Sequence, residues 1–237
     1  KGILHFTRDK IFKKNSLFNL SWYKLIFMKN LYIIGADSFG RELFNFLKFN
    51  STYLDEYHFN GFLDDRSTIL DHYGDSYYLA GDPYTYIFDE NDYCLMGVVD
   101  PSYKEKIYNF LKNKVEIITF ISSDTIISPS AKIGKGSVIS PWVSISNDTI
   151  IGDCSTIVVG AKIAHDCTVG NFSSIMTDVK LGGGVTIEDG VYIGMNATII
   201  NNLNIGYSTK IGAGSVVLHS QKPKITVFGN PARQIKS

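Results

Sequence analysis

The chain has only three cysteines in 237 residues, Cys94, Cys154 and Cys167, and they stand at no metal-ligand spacing. That scarcity excludes a disulfide-stapled fold and fits a protein of the reducing cytoplasm. Histidine is nearly as sparse, with His5, His58, His72, His165 and His219. A surplus of one charge is absent too. The 23 basic residues balance 23 acidic ones, and lysines and arginines are not gathered into a basic face interleaved with aromatics. Nucleic acid is therefore not an expected partner. No uninterrupted apolar run approaches the roughly 20 residues of a membrane span, so none is expected.

What the chain does have is a repeat. From Ile127 to Val217 an Ile, Val or Leu recurs every sixth residue, sixteen times in one register. A period of six is neither helical nor plain strand alternation; it marks a solenoid whose short strands each end in a turn and whose equivalent positions stack. With the aliphatic residue as first place, the fifth is small or β-branched (Ala131, Ser137, Val143, Ala161, Cys167, Ala197), so both places face a narrow interior. The fourth is rich in Gly, Asn and Asp (Gly136, Asp148, Gly160, Asp166, Gly184, Asn202), residues that tolerate positive φ at a sharp corner. Each hexad is one flat side and one corner. Three close a triangular coil of eighteen residues, and sixteen make slightly more than five coils, a prism about 25 Å tall at the strand spacing. The pattern is similar to that of the hexapeptide-repeat acyltransferases, whose prism is left-handed.

Upstream of the repeat, Leu31-Tyr32-Ile33-Ile34 reads as a buried strand, Gly35-Ala36-Asp37-Ser38-Phe39-Gly40 as a turn, and 41–49 as a helix with Leu43, Phe44 and Leu47 on one face. That order sets backbone N–H groups and a helix start against an anion, typically a pyrophosphate. The dinucleotide G-x-G-x-x-G is not met, and a helix start needs such a turn in any case. A second strand at 59–63 ends in Asp64-Asp65, carboxylates that can accept from a ribose or base, or a plain polar loop. Their distance from Gly35 exceeds the roughly 20 residues of the dinucleotide fingerprint and argues against a full NAD site. Leu79-Ala80-Gly81-Asp82-Pro83 reads as a turn, 93–99 as a buried strand, 101–112 as a helix, and 115–120 as the run into the first hexads. The expectation is a small α/β domain over 28–113, joined to the prism without a flexible linker. Residues 1–27, with Lys1, Arg8, Lys10, Lys13, Lys14 and Lys24 against Asp9, read as a leader or upstream extension, a basic membrane-touching helix being the lesser reading.

Two histidines fall in the repeat, His165 and His219, both in the third, outward-facing place. Three coils separate them, about 14 Å at the strand spacing. They cannot share a metal, and a metal-dependent hydratase on such a prism needs several convergent imidazoles, so no metal site is expected. His165 is followed by Asp166. An imidazole can take a proton from an amine or hydroxyl while a carboxylate holds its tautomer. Asp166 also occupies the fourth place, where a corner alone accounts for it. Cys167, in the inward-facing fifth place, is not expected to be a nucleophile.

From Met28 onward the chain resembles the nucleotide-sugar acetyltransferases of the bacterial sialic-acid O-acetyltransferase and bacillosamine-pathway UDP-4-amino-sugar N-acetyltransferase family. The resemblance rests on Tyr32-Ile33-Ile34-Gly35-Ala36 with Gly40-Arg41-Glu42, Gly61-Phe62-Leu63-Asp64-Asp65, Gly81-Asp82, His165-Asp166-Cys167 and Gly229-Asn230-Pro231-Ala232-Arg233. It implies an α/β Rossmann-like nucleotide-sugar-binding domain (28–113), a left-handed parallel β-helix acyltransferase domain (114–221) and a closing segment (222–237). His165 would be the general base and Asp166 its orienting acid. Gly35, Ala36, Asp37, Ser38, Phe39 and Gly40, with Asp64 and Asp65, would hold the nucleotide of a UDP- or dTDP-linked amino sugar. Acetyl-CoA would lie between adjacent prisms of a homotrimer, near Gly183, Gly229, Asn230 and Pro231, in a site shared between subunits. The implied reaction is direct acetyl transfer to a 4-amino-4,6-dideoxy sugar for surface-glycan synthesis, with the Gly183 N–H as the expected oxyanion donor. Acetylation of a sugar hydroxyl uses the same base and cofactor and stays open, as does a non-catalytic β-helix binding protein. The chain departs from the family pattern at Val158-Val159-Gly160, where relatives carry Asn-Thr-Gly. It departs again at Ser173-Ser174-Ile175-Met176-Thr177-Asp178, where they carry a second histidine and a Pro-Gly turn. The resemblance puts both stretches beside the acceptor and pantetheine arm.

Overall fold

The computed structural model describes residues 29–49 and 51–235, and the leader expected over 1–27 lies outside them. Strand β1 (Lys29–Ile34) is the centre of a parallel sheet of order β3-β2-β1-β4-β5, with β2 (Tyr57–Leu63), β3 (Leu79–Gly81), β4 (Asp92–Met96) and β5 (Glu116–Ile117). Its last four residues are all buried because both faces of the sheet are covered. Leu31 and Ile33 pack on one side with Leu43 and Leu47 of helix α1 (Ser38–Phe49). Tyr32 and Ile34 pack on the other with Ile107 and Leu111 of a helix at Pro101–Leu111. A short helix, α2 (Ser51–Glu56), leads into β2, and Pro101–Leu111 is α3. Asp100 caps α3 by accepting from the Tyr103 N–H at 2.8 Å, and Pro101 fills the first turn, where its missing N–H costs nothing.

Four local expectations change. Helix α1 begins at Ser38 rather than 41, because Gly40 belongs to its first turn: a Cβ there would overlap the Gly35 carbonyl. Leu79-Ala80-Gly81 is not a turn but β3, paired with Phe62 and Leu63 of β2, so sheet pairing overrides a turn-like composition. Strand β4 stops at Met96. The Gly97 N–H still reaches the Ile34 carbonyl at 2.8 Å, after which 98–100 leave the sheet. The first sheet also extends to Ile117 through β5, past residue 113, where the sequence expectation ended it.

The repeat folds as a parallel β-solenoid. Strand β6 (Phe120–Ile121) opens it, and two-residue strands follow at six-residue steps from β7 (Ile126–Ile127) to β22 (Val216–Val217). Ile145 pairs with Ile127 on one side and Ile163 on the other, the eighteen-residue coil read from the sequence. The coils stack into a six-stranded face (β22-β19-β16-β13-β10-β7), a five-stranded face (β20-β17-β14-β11-β8) and an eight-stranded face. The last is extended by β23 (Thr226–Phe228), parallel to β21 (Lys210–Ile211), and by antiparallel β24 (Arg233–Ile235). First-place side chains such as Ile157, Ile163 and Ile187 form one interior stack, each worth roughly 1.5–3 kcal/mol relative to exposure. Fifth-place hydroxyls survive inside because each has an acceptor: Ser137, Thr149 and Ser155 donate to the carbonyls of Gly152, Ala164 and Gly170 at 2.7–2.9 Å. Every fourth place from Gly136 to Gly214 has positive φ, including Trp142, Cys154, Phe172 and Ser208. Register, not residue type, sets the corner, at a cost of about 1–2 kcal/mol for each residue with a Cβ.

The α/β unit docks on the eight-stranded face. Tyr108 of α3 packs against Phe172, ring centroids 5.5 Å apart. Lys104 of α3 is fully buried and donates to Thr156 Oγ1, Ser173 O and Ser174 Oγ, all on or beside strands of that face. Val158 shares a core cluster with Phe120, and Val159 and Met176 pack against it. Within one chain these departures from the family pattern therefore sit at the domain junction and not beside His165.

Candidate active site

His165 follows β13 (Lys162–Ile163) on the edge where the chain leaves the six-stranded face for the five-stranded one. Its side chain is 66% exposed, and Nδ1 lies 2.7 Å from Asp166 Oδ2. A carboxylate at Nδ1 holds the proton there and leaves Nε2 as the nitrogen able to accept one. Asp166 can reach back because its φ is 59°, so the corner conformation and the contact to the imidazole come from the same backbone turn. One coil on, Gly183 follows β16 (Lys180–Leu181) at the same edge. A Cβ there would stand 2.7 Å from His165 Cε1 and 2.8 Å from Nε2, so the ring lies flat over a position only glycine leaves open. The Gly183 carbonyl accepts from the Asn202 N–H at 2.9 Å. Its own N–H has no acceptor among the described residues.

An open groove of about 590 Å³ runs beside His165, lined by Ser128, Pro129, Ser146 and Asn147 among others. Sequence reading missed it, although Asn147 occupies the third place one coil before His165 and column counting would have found it. Cys167 is no rival nucleophile: it is buried, its thiol is raised by that burial, and Sγ donates to Gly182 O at 3.2 Å. Burial likewise pushes the Cys154 thiol up to about 12. Among the described residues no group of three or more His, Cys, Asp or Glu is placed to hold a metal.

The second candidate region is a cleft of about 400 Å³ beyond the carboxyl ends of β1, β2 and β4, where the strand order reverses between β1 and β4. Open parallel sheets characteristically take ligands at that point. Gly35, Asp37, Ser38 and Phe39 line it. Ala36 and Gly40 do not. The Ala36 N–H is spent on Asp64 Oδ2 at 2.8 Å, and Gly40 packs under Gly35. Asp64 borders the cleft but is buried with its oxygens engaged: besides Ala36 it accepts from the Arg66 N–H at 3.0 Å, Nε at 2.9 Å and the second guanidinium nitrogen at 2.9 Å. Burial works against its charge, yet the Arg66 and Ala36 hydrogen bonds outweigh it and hold the carboxyl below its usual range. Asp64 thus anchors Arg66, while exposed Asp65 remains on the cleft wall.

Arg66 is the residue sequence reasoning overlooked. Its guanidinium is half exposed, spans Asp64 and Asp37, and presents a permanent cation to the cleft. The visible signal was its place two residues after a strand-end carboxylate. Gly97, Val98, Val99 and Asp100, from the segment that leaves the sheet after β4, and Tyr103 of α3 complete the wall.

The closing residues lie elsewhere. Gly229 has φ 104°, and the Asn230–Pro231 peptide is cis. The Gly229 carbonyl accepts from Val216 N at 3.0 Å, which ties this turn to β22, three coils from His165 on the six-stranded face. Neither the cleft nor this turn shares a residue with the groove at His165. The reason is geometric: the α/β unit is docked on the eight-stranded face, and His165 stands on the edge between the other two faces, opposite it.

No family model matches the chain. Its sequence is 35% identical over 124 residues to the serine acetyltransferases of Salmonella typhimurium and Escherichia coli, a match of 52% of this chain and 41% of each relative. The chain thus matches less than half the length of these curated relatives. Among solved structures, the acetyltransferase domain of PglB from Neisseria gonorrhoeae in complex with acetyl coenzyme A superposes with a TM-score of 0.74 at 25% identity, covering 88% of this chain and 100% of that one. A GDP-perosamine N-acetyltransferase from Caulobacter crescentus in complex with CoA and GDP-perosamine shares the fold at a TM-score of 0.73 and 22% identity, covering 88% and 97%. WeeI from Acinetobacter baumannii does so at 0.66 and 24%, covering 86% and 99%. What these solved structures share with the chain is its fold.

Proposed function

We propose that this protein is an acetyl-CoA-dependent N-acetyltransferase acting on a nucleotide-linked 4-amino-4,6-dideoxy sugar. The observation that carries the reading is the His165–Asp166 pair laid against Gly183 on an open prism edge. The likeness to a PglB acetyltransferase domain solved with acetyl coenzyme A supplies the acyl donor. The relative solved with GDP-perosamine supplies the acceptor class.

In this reading the sugar amine attacks the thioester carbonyl while His165 Nε2 accepts its proton, and Asp166 at Nδ1 stabilises the imidazolium. The Gly183 N–H, a donor without an acceptor among the described residues, stabilises the developing oxyanion. The tetrahedral intermediate collapses to the amide, and the thiol of CoA leaves with the proton returned by His165. The α/β unit acts as a Rossmann-like nucleotide domain. Gly35, Ser38 and the start of α1 face the diphosphate, Arg66 adds a cation, and Asp65 and Asp37 can accept from the ribose or base. Because His165 and the cleft lie across the prism from each other, a neighbouring copy brings them together. A homotrimer of left-handed prisms, with acetyl-CoA running from Gly183 toward the Gly229-Asn230-Pro231 turn, meets that requirement. Among the described residues no helix is long and apolar enough to cross a membrane.

The test is incubation with acetyl-CoA and a panel of UDP-, dTDP- and GDP-linked sugars, amino and non-amino, read by mass spectrometry. An acetylated amine is expected on one of them. Acetylation confined to hydroxyls makes the protein an O-acetyltransferase, and no product with any acceptor sinks the reading.

A further inference from the structure

Lys104 is fully buried at the domain junction and has no ion pair among the described residues. A buried lysine without a carboxylate partner is costly whether it keeps its proton or gives it up, and an apolar side chain would close the same seam more cheaply. What the ammonium does there is specific. Its Nζ lies 2.8 Å from Ser174 Oγ, 2.9 Å from Ser173 O and 3.1 Å from Thr156 Oγ1. Ser174 Oγ in turn donates to Val99 O at 2.6 Å, and Val99 is part of the cleft wall. A serine has one proton to give. With one lone pair engaged by the Lys104 Nζ, the hydroxyl is oriented so that its proton points at Val99; without that donor, the hydroxyl is free to turn to another acceptor. The Lys104 backbone N–H also holds Asp100 O at 2.9 Å, at the other end of the same wall. Ser174 opens β15 (Ser174–Ile175), on the coil that carries His165 nine residues earlier.

We infer that Lys104 is a positioning residue for the nucleotide: by fixing the Ser174 hydroxyl it holds the 98–100 wall against the prism in the shape that takes the diphosphate. This rests on reading the cleft as the nucleotide site. Apolar packing alone would keep the two units together but would leave that wall free to shift.

The test measures binding of UDP-glucose, dTDP-glucose, GDP-mannose and acetyl-CoA to the whole protein by calorimetry, for wild type, Lys104→Met and Ser174→Ala. The tightest nucleotide sugar is expected to bind about tenfold more weakly to each variant, as for the loss of one buried hydrogen bond, with acetyl-CoA within twofold of wild type. The double variant should be no worse than the single ones, since both break one chain of contacts. Unchanged nucleotide affinity, or an equal loss for acetyl-CoA, overturns the inference. Should Lys104→Met fail to fold, Ser174→Ala decides alone, because it keeps the lysine on Thr156 Oγ1 and Ser173 O while removing the hydroxyl that links it to Val99. Should wild type bind none of the three, the nucleotide reading fails separately. Amide exchange then decides the positioning role on the free protein: faster exchange at 98–100 in Ser174→Ala, with prism amides unchanged, supports it, and no change refutes it.

Discussion

At the scale of single residues, the imidazole, the glycine beneath it and the buried lysine each carry a measurable expectation. His165→Ala should lower turnover by about 10² to 10⁴ with acetyl-CoA binding retained, the loss typical of a general base. Steady-state kinetics with direct binding measures both. Gly183→Ala puts a Cβ under 3 Å from two ring atoms of His165. The ring is exposed and can swing away, so the melting temperature should hold while turnover falls about 10²-fold, the scale of a displacement near 1 Å. For Lys104 the sign follows from burial, which lowers the ammonium to about 7 against the opposing pull of Cys154 and Asp100. An unfolded lysine titrates near about 10.4, so above pH 7 the unfolded chain holds more protons than the folded one, and stability rises with pH. The window closes near pH 8.5, roughly where unfolded thiols ionise. There Cys94, Cys154 and Cys167, all raised by burial, pull the other way. Denaturant unfolding should show a gain of about 1–2 kcal/mol from pH 7 to 8.5 in wild type that Lys104→Met loses.

The elements obey the hexad more strictly than their composition does. Composition marks the fourth place where Gly, Asn or Asp stands, yet Trp142 and Phe172 take the same left-handed corner. Stacking of identical coils fixes the backbone there, and the side chain follows. Two glycine replacements separate the conformational cost from crowding. Gly214 has φ 67° and nothing within 4 Å of a Cβ, so Gly214→Ala should cost about 1 kcal/mol by chemical denaturation. Gly184 has the same φ class, but a Cβ there would overlap the Asn202 amide, and Gly184→Ala should cost distinctly more. Equal costs would mean that the Asn202 side chain yields freely. The solenoid was legible because its rule is local and repeats. In the α/β unit β3 and the start of α1 were misread, because pairing with β2 and the close approach of Gly40 to Gly35 are long-range or packing events that composition does not record.

At the scale of the whole molecule, the cleft and the histidine edge lie on opposite sides of one prism, and the proposed function therefore requires several copies to build one site. Coexpression of equal amounts of His165→Ala and Arg66→Glu chains should recover about a quarter of the wild-type sites, since random trimers pair an intact histidine with an intact neighbouring cleft at that frequency. No recovery in mixed trimers would mean that each chain is self-sufficient, contrary to the shared-site reading.

By itself the sequence determined the coil, the inward and outward columns, the outer-edge placement of His165 and the neighbouring Asp166, because each follows from a period of six and from adjacency along the chain. Only the tertiary structure decided that Gly183 lies under the imidazole, that Asp64 is spent on Arg66 and the Ala36 N–H, and that the Val158 and Ser174 departures sit in the domain junction. Those facts depend on which coil lies above which and on which prism face the α/β unit covers. Residues far apart in sequence meet there, and no local pattern marks the meeting.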